Sequence, residues 1–296
     1  MGNMKLKDGI KVSKNVQGDY VFEKLQNANH KKITSRAFAC LLGKNGFESA
    51  GKTILERCNM IEKEAIDPYY TVRGAIGECL VEDYFIDVYK QYKKIDIEIR
   101  SWNPKDIGFD NFPKNPDFGG MLDRAIANPQ SERAPIEVKS KSMKDFQFID
   151  KNKGVLEEVL QGKFLAKLGV SSICLMAYIF FNEQQETQLK NYVRDLINLG
   201  QDVNSIEARE VIKELLWKYE LFVIKVYKHT VDVKEMDELM QESKRVLKQS
   251  IETGLITETQ FTINERNYLD DLVYGAGIRP EGVEKSGGIA EEDLPF

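Results

Sequence analysis

The chain has 296 residues, 42% of them hydrophobic and 30% charged, with a formal net charge of −5. That length and apolar share imply one large domain with a proper core, or a domain with appendages. No apolar run reaches the ~18 residues of a membrane-spanning helix, and the first residues lack the apolar centre of a secretory signal, so a cytoplasmic protein is expected.

The charge is unevenly placed. Residues 281–296 carry five acids against one base, and the first 36 residues carry eight Lys or Arg against three acids. A basic leading segment and an acidic tail do not suit one common partner. Cys40, Cys58, Cys79 and Cys174 are scattered with no CxxC pair, which reads as free thiols and excludes a zinc or iron–sulfur cluster. His30 and His229 each stand alone, so histidine-based triad, nuclease and zinc-hydrolase mechanisms lack their material.

In chain order, residues 1–32 are Lys-rich, weakly patterned and expected as a partly ordered basic arm. Thr34-Ser35 then caps a short helix from Arg36 that stops at Gly43. A second helix is expected over Lys52–Ala65 on an Ile54, Cys58, Ile61 stripe. A third starts near Gly74 and runs to about Tyr92, with Ile76, Leu80 and Tyr84 in one row. On it Glu78 lies in line with Val81 and Phe85, so an acid points along a partly buried face and needs a partner there. Ile95–Ser101 alternates like a strand.

Residues 115–142 read NPDFGGMLDRAIANPQSERAPIEVKSKS. Two β-type segments flank a turn rich in Asn, Pro, Gln and Ser, which predicts a hairpin. In the second segment Glu137 and Lys139 share one face, and Ile136 and Val138 the other. Pairing about a turn centred near Gln130 sets Asp123 opposite Glu137. Asp117 is the alternative acid, but it pairs best about a centre inside the apolar Ala-Ile-Ala run. Carboxylates on neighbouring strands suit Mg²⁺ or Mn²⁺, and a lysine two residues on orients or activates a water and offsets phosphate charge.

Beyond the hairpin, Leu156–Leu168 reads as a helix stopped by Gly169, with Gln161 on its flank. Ile173–Phe181 reads as a buried central strand. Residues 183–218 look like a helical insertion, and Leu221–Tyr227 like a further strand. Asp232 and Glu235 form a capping box for a helix to about Ile251. Residues 263–296 are expected as a C-terminal extension with a disordered acidic tail. The fold class that follows is α/β, a mixed central β-sheet flanked by helices, with the main domain over 33–262.

Four matches in order resemble the PD-(D/E)XK nuclease superfamily, and more closely its YqaJ and lambda-exonuclease branch of viral recombination nucleases. Ile33-Thr34-Ser35-Arg36 followed by Leu41-Leu42-Gly43 is similar to the opening segment of that branch. Gly74-Ala75-Ile76-Gly77-Glu78 resembles its GxxxE helix. Gly119-Gly120-Met121-Leu122-Asp123 and Glu137-Val138-Lys139 resemble its metal-binding aspartate and its ExK. Gln161 sits where the branch has a helix glutamine. The resemblance spans about residues 30–252. It departs in a longer Asp123–Glu137 gap, in Asp-Arg where Asp-Gly is common, and in the 183–218 stretch.

The resemblance implies a restriction-endonuclease-like core and a Mg²⁺- or Mn²⁺-dependent DNA exonuclease of phage or mobile-element recombination. Asp123, Glu137 and the Val138 carbonyl would hold the metal, with Glu78 completing the site. Lys139 would position or deprotonate the attacking water, and Gln161 would hold Lys139 or the scissile phosphate. Ser35, Arg36, Lys141 and Lys163 are expected as DNA contacts. The branch implies double-stranded DNA ends as substrate, digested 5′ to 3′ in a bacterial host cytoplasm, a strand-annealing recombinase as partner, and a trimeric ring. Glu291-Glu292-Asp293-Leu294-Pro295-Phe296 resembles the acidic tip of bacterial single-stranded-DNA-binding proteins. That likeness implies docking through Asp293, Leu294, Pro295 and Phe296 on host replication or repair proteins. The rival readings are a restriction-type or structure-specific endonuclease, and a non-catalytic DNA-binding or decoy protein that presents the tip.

Overall fold

The fold is described from a computed structural model, over residues 4–275 without 47, 64, 89–90, 92–97, 103–105, 128–133, 204–210 and 212–221. The strands β3 (Glu98–Arg100), β4 (Arg124–Ala127), β5 (Ala134–Ser142), β6 (Ile173–Phe181) and β7 (Val223–Thr230) form one sheet in that order. β5 and β6 are parallel and the other neighbours antiparallel, so the sheet is mixed, as the pattern predicts. β6 reads ICLMAYIFF and lies in the middle, and its residues from Ala177 to Phe181 are fully buried. An apolar run without alternation is what a strand covered on both faces requires.

One face of the sheet is covered by α3 (Pro68–Val88) and α6 (Glu183–Asn198). Ile136 and Val138 of β5 pack there with Ile76, Leu80 and Val81, and with Leu189 and Val193 of α6. α6 is therefore part of the main core, although 183–218 reads as an insertion in sequence. α3 begins six residues before the expected Gly74. Pro68 takes the first turn, where its missing N–H costs nothing, and Asp67 Oδ1 accepts from Tyr69 N at 2.9 Å.

The other face carries α4 (Phe146–Asn152) and α5 (Leu156–Leu168), whose bounds match the predicted helix and its Gly169 stop. Phe164 of α5 is fully buried against Phe38, with ring centroids 4.7 Å apart. This joins α5 to a second core built with α1 (Ser35–Leu41), α2 (Ala50–Arg57) and α7 (Val233–Thr253). α7 starts at the expected Asp232 cap, which accepts from Lys234 N and Glu235 N, and buries Met236, Met240 and Leu247. α2 stops eight residues short of the expected Ala65. Cys58 caps it, Asn59 turns with φ +59°, and Ile61 leaves to bridge Leu6.

The leading segment is not an arm. β1 (Val12–Lys14) pairs with β2 (Tyr20–Phe22), and β2 with β8 (Leu255–Ile256), in a small antiparallel sheet. Met4, Leu6, Tyr20, Phe22 and Leu25 are buried in the α1–α2–α7 core. Lys5, Lys11, Lys24 and Lys31 are exposed while irregularly spaced apolar residues turn in, which a lysine count conceals. Residues 263–274 likewise join the folded body as α8 (Ile263–Tyr274), opened by a Thr262/Glu265 capping box. Tyr20 donates to Asp270 at 2.8 Å, and Tyr268 accepts from Leu6 N at 3.0 Å. The acidic tip, Glu291 to Phe296, lies outside the described residues. Among the described residues no helix is long and apolar enough to cross a membrane.

Candidate functional site

β5 sets the site by simple alternation. Ile136 and Val138 face α3, so Glu137, Lys139 and Lys141 face α5. Arg124 pairs with Ile136. Continued by one pair, that register brings Asp123 opposite Glu137, as the sequence predicts. Asp123 Oδ2 then accepts from Val138 N at 2.8 Å, which ties the acid to the strand that carries Glu137 and Lys139. Asp117, the alternative acid, is instead paired to Lys244 of α7 at 2.5 Å.

Lys139 lies between two groups. Its Nζ is 2.8 Å from Glu137 Oε1 and 3.3 Å from Gln161 Oε1 of α5. α5 comes this close because residue 162 is glycine. A Cβ there would stand 2.7 Å from Met176 Sδ and 3.7 Å from Glu137 Cβ. Burial works against the Lys139 charge, but Glu137 and Asp123 outweigh it and raise its pKa. Asp123 is shifted upward as well, first by burial and then by the negative charges of Glu137 and Glu78.

Glu78 sits on α3, across the sheet from Glu137. Arg124 N–H groups reach Glu78 Oε2 at 2.7 Å, Glu82 Oε2 at 2.8 Å and the Asp123 carbonyl at 2.6 Å. Arg124 thus binds Glu78 and the backbone of Asp123 together. Neither Arg124 nor Glu82 is singled out by the motif. The available signal is their spacing, since Glu78 and Glu82 are four apart and share one helix face.

Glu158 is a third residue that the motif does not single out. It lies three residues before Gln161 on α5, is 9% exposed, and pairs with Lys141 at 2.7 Å. Its Oε2 has no hydrogen-bond partner. The expected DNA contacts are dispersed. Ser35 opens α1, and Thr34 caps that helix by accepting from Ala37 N. Arg36 pairs with the buried Glu48 at 2.9 Å. Lys141 is at the site through Glu158, whereas Lys163 lies near Cys174 and His229. The segment holding Ser35 and Arg36 is nonetheless tied to the site. Ile33 N donates to the Asp117 carbonyl at 2.8 Å and Gly119 N to the Ile33 carbonyl at 3.0 Å, just before Asp123.

The donor set fits a hard divalent cation. Asp123, the residue before β4, and Glu137 on β5 bring carboxylate oxygens together, and burial first and then the charges of Glu137 and Glu78 hold the Asp123 carboxyl above its usual range. Among the described residues no three His, Cys, Asp or Glu side chains form a ready metal cage. In this arrangement Lys139 holds Glu137, and Arg124 holds Glu78.

No family model matches the chain. Over 93 residues it is 31% identical to an uncharacterized protein of Mycoplasma pneumoniae, the MG373 homolog, and the chain spans about a third of that relative's length. Its fold is similar to an alkaline exonuclease from Laribacter hongkongensis, with TM-score 0.45 and 13% identity over 78% of this chain and 94% of the other. It is also similar to a phage-related exonuclease from Haemophilus somnus, with TM-score 0.39 and 12% identity over 75% and 94%. At these values neither likeness assigns an activity.

Proposed function

We propose that this chain is a Mg²⁺- or Mn²⁺-dependent deoxyribonuclease that hydrolyses phosphodiester bonds from double-stranded DNA ends. The observation that carries the reading is Asp123, one residue before β4, accepting from Val138 N beside Glu137, with Lys139 held between Glu137 and Gln161. Asp123, Glu137 and the Val138 carbonyl would hold the ion, with Glu78 at its margin. When bound, the ion supplies Lewis acidity toward a phosphoryl oxygen and the leaving oxygen. Lys139, 2.8 Å from Glu137, would position or deprotonate the attacking water and offset phosphate charge. Gln161 fixes the direction of the ammonium. Arg36, Ser35, Lys141 and Lys163 are the proposed backbone contacts. The 5′-to-3′ direction, the trimeric ring, the annealing partner and docking through Asp293–Phe296 belong to this reading as expectations carried by the sequence resemblance.

The test is degradation of linear duplex labelled at the 5′ or the 3′ end, with Mg²⁺ or EDTA, by wild type and Lys139→Ala. Mg²⁺-dependent loss of the 5′ label first, absent in the variant, is the expected result. A covalently closed plasmid should survive. Its cleavage would make the enzyme an endonuclease, and digestion of neither substrate would refute the catalytic reading.

A further inference from the structure

Beside the carboxylate pair is a cleft of about 550 Å³, counting its open mouth. Its walls are Trp102, Phe112, Leu122, Ala125, Pro135 and Leu165. Three relations place it next to the candidate site along the same sheet face. Leu122 is the chain neighbour of Asp123. Ala125 pairs with Pro135, and each is two residues from Asp123 or Glu137 on the same sheet face, a step of ~7 Å. Leu165 follows Gln161 by one turn of α5, ~6 Å along the axis. Trp102 and Phe112 are partly exposed at the cleft, and Phe112 also packs against the α1–α2–α7 core.

The loop behind it is braced. Lys32 donates to Asp110 at 2.7 Å and to the Phe112 carbonyl at 3.0 Å, and Leu122 N donates to Asn111 Oδ1 at 2.8 Å. Asn111 adds its side-chain amide to the wall. A small, mostly apolar cleft with two aromatic rings and one amide suits a flat heteroaromatic ring carrying acceptors.

We propose that this cleft receives one unstacked nucleobase of the DNA strand whose phosphate lies at Asp123 and Glu137. The proposal rests on the nuclease reading and adds to it a subsite for the base. A base taken out of the stack holds its own phosphate one strand step from the carboxylates. Stacking on Trp102 accepts any base face, so the subsite is sequence-tolerant.

The test places 2-aminopurine, whose fluorescence reports stacking, at each of the first four positions from the 5′ end of a duplex. Binding is read in Ca²⁺, a hard oxygen-binding ion that can seat the phosphate, and an intact end label shows that no turnover is involved. The expected result is a fluorescence change at one position, kept in Trp102→Phe and lost in Trp102→Ala. An abasic site at that position should weaken binding about tenfold in wild type and Trp102→Phe, but not in Trp102→Ala. Position-independent signals, or an abasic penalty equal in all three proteins, would overturn the subsite even if Mg²⁺-dependent digestion is intact. Loss of digestion with the position-specific signal retained would instead fault the catalytic reading and leave a DNA-end-binding cleft.

Discussion

Arg124 donates to Glu78 at 2.7 Å and, through its Nε, to Glu82 at 2.8 Å. It is 9% exposed, and its third contact is the Asp123 carbonyl. Removing it leaves two carboxylates facing each other across a partly buried gap. Breaking one side of a buried pair costs ~3–5 kcal/mol, so Arg124→Ala should lose about 3 kcal/mol in urea unfolding. Arg124→Lys should lose less, because it keeps the charge but not the planar fork that reaches three acceptors. Equal stability of Arg124→Ala and wild type would mean that the clamp is ornamental.

Asp123 is expected to trade stability for chemistry. Burial and then Glu137 and Glu78 hold its carboxyl above the usual range, so its negative form is unfavourable in the metal-free fold. Asp123→Asn keeps an oxygen for Val138 N and removes the charge. In EDTA the variant should be more stable by about 0.5–2 kcal/mol, yet inactive. The folded pKa is the raised one, so the stability that Asp123 contributes when neutral is complete below its unfolded value of ~3.9. That contribution is lost as pH rises through the folded value. The gap between variant and wild type should therefore close in acid and open toward neutral pH. A pH-independent gap would assign it to another cause.

What was legible in the sequence was local and periodic. The alternation of Ile136, Glu137, Val138 and Lys139 fixed both faces of β5, and equal spacing about one turn fixed the Asp123–Glu137 pair. The leading segment was not legible, because its strands are three residues long and the second of them pairs with Leu255–Ile256, more than 230 residues away. No local period marks such a partner. Arg124 escaped for a related reason. Its meaning depends on Glu78 and Glu82 on an element that meets β4 only after folding.

Lys139 and Gln161 should differ in weight. Lys139 carries the charge beside the carboxylates, while Gln161 only directs it across a 3.3 Å hydrogen bond. Lys139→Ala should lower the turnover of labelled duplex ~100-fold or more. Gln161→Ala should lower it about tenfold, the worth of one hydrogen bond to a charged group. A larger loss in Gln161→Ala than in Lys139→Ala would shift the glutamine from positioning to direct contact with the phosphate.

Gly77, next to Glu78 in the GxxxE segment, sets the distance between α3 and β5. A Cβ there would meet Ser140 Oγ and stand 3.0 Å from Ile179 Cγ2. Ser140 cannot turn away without cost, because its hydroxyl donates to the Arg73 carbonyl at 3.1 Å. Gly77→Ala should therefore push α3 off the strand that carries Glu137 and Lys139. The expected loss is ~1–3 kcal/mol, as for added bulk in a packed core. Ser140→Ala in the same chain removes the hydroxyl and should restore part of that loss, leaving the Ile179 contact as the remainder. The double-mutant cycle in urea checks this, with a coupling well above the ~0.5 kcal/mol of independent sites. Simple additivity would show that the helix packs on the sheet in some other register, and Glu78 would then no longer be placed beside Arg124 and Asp123.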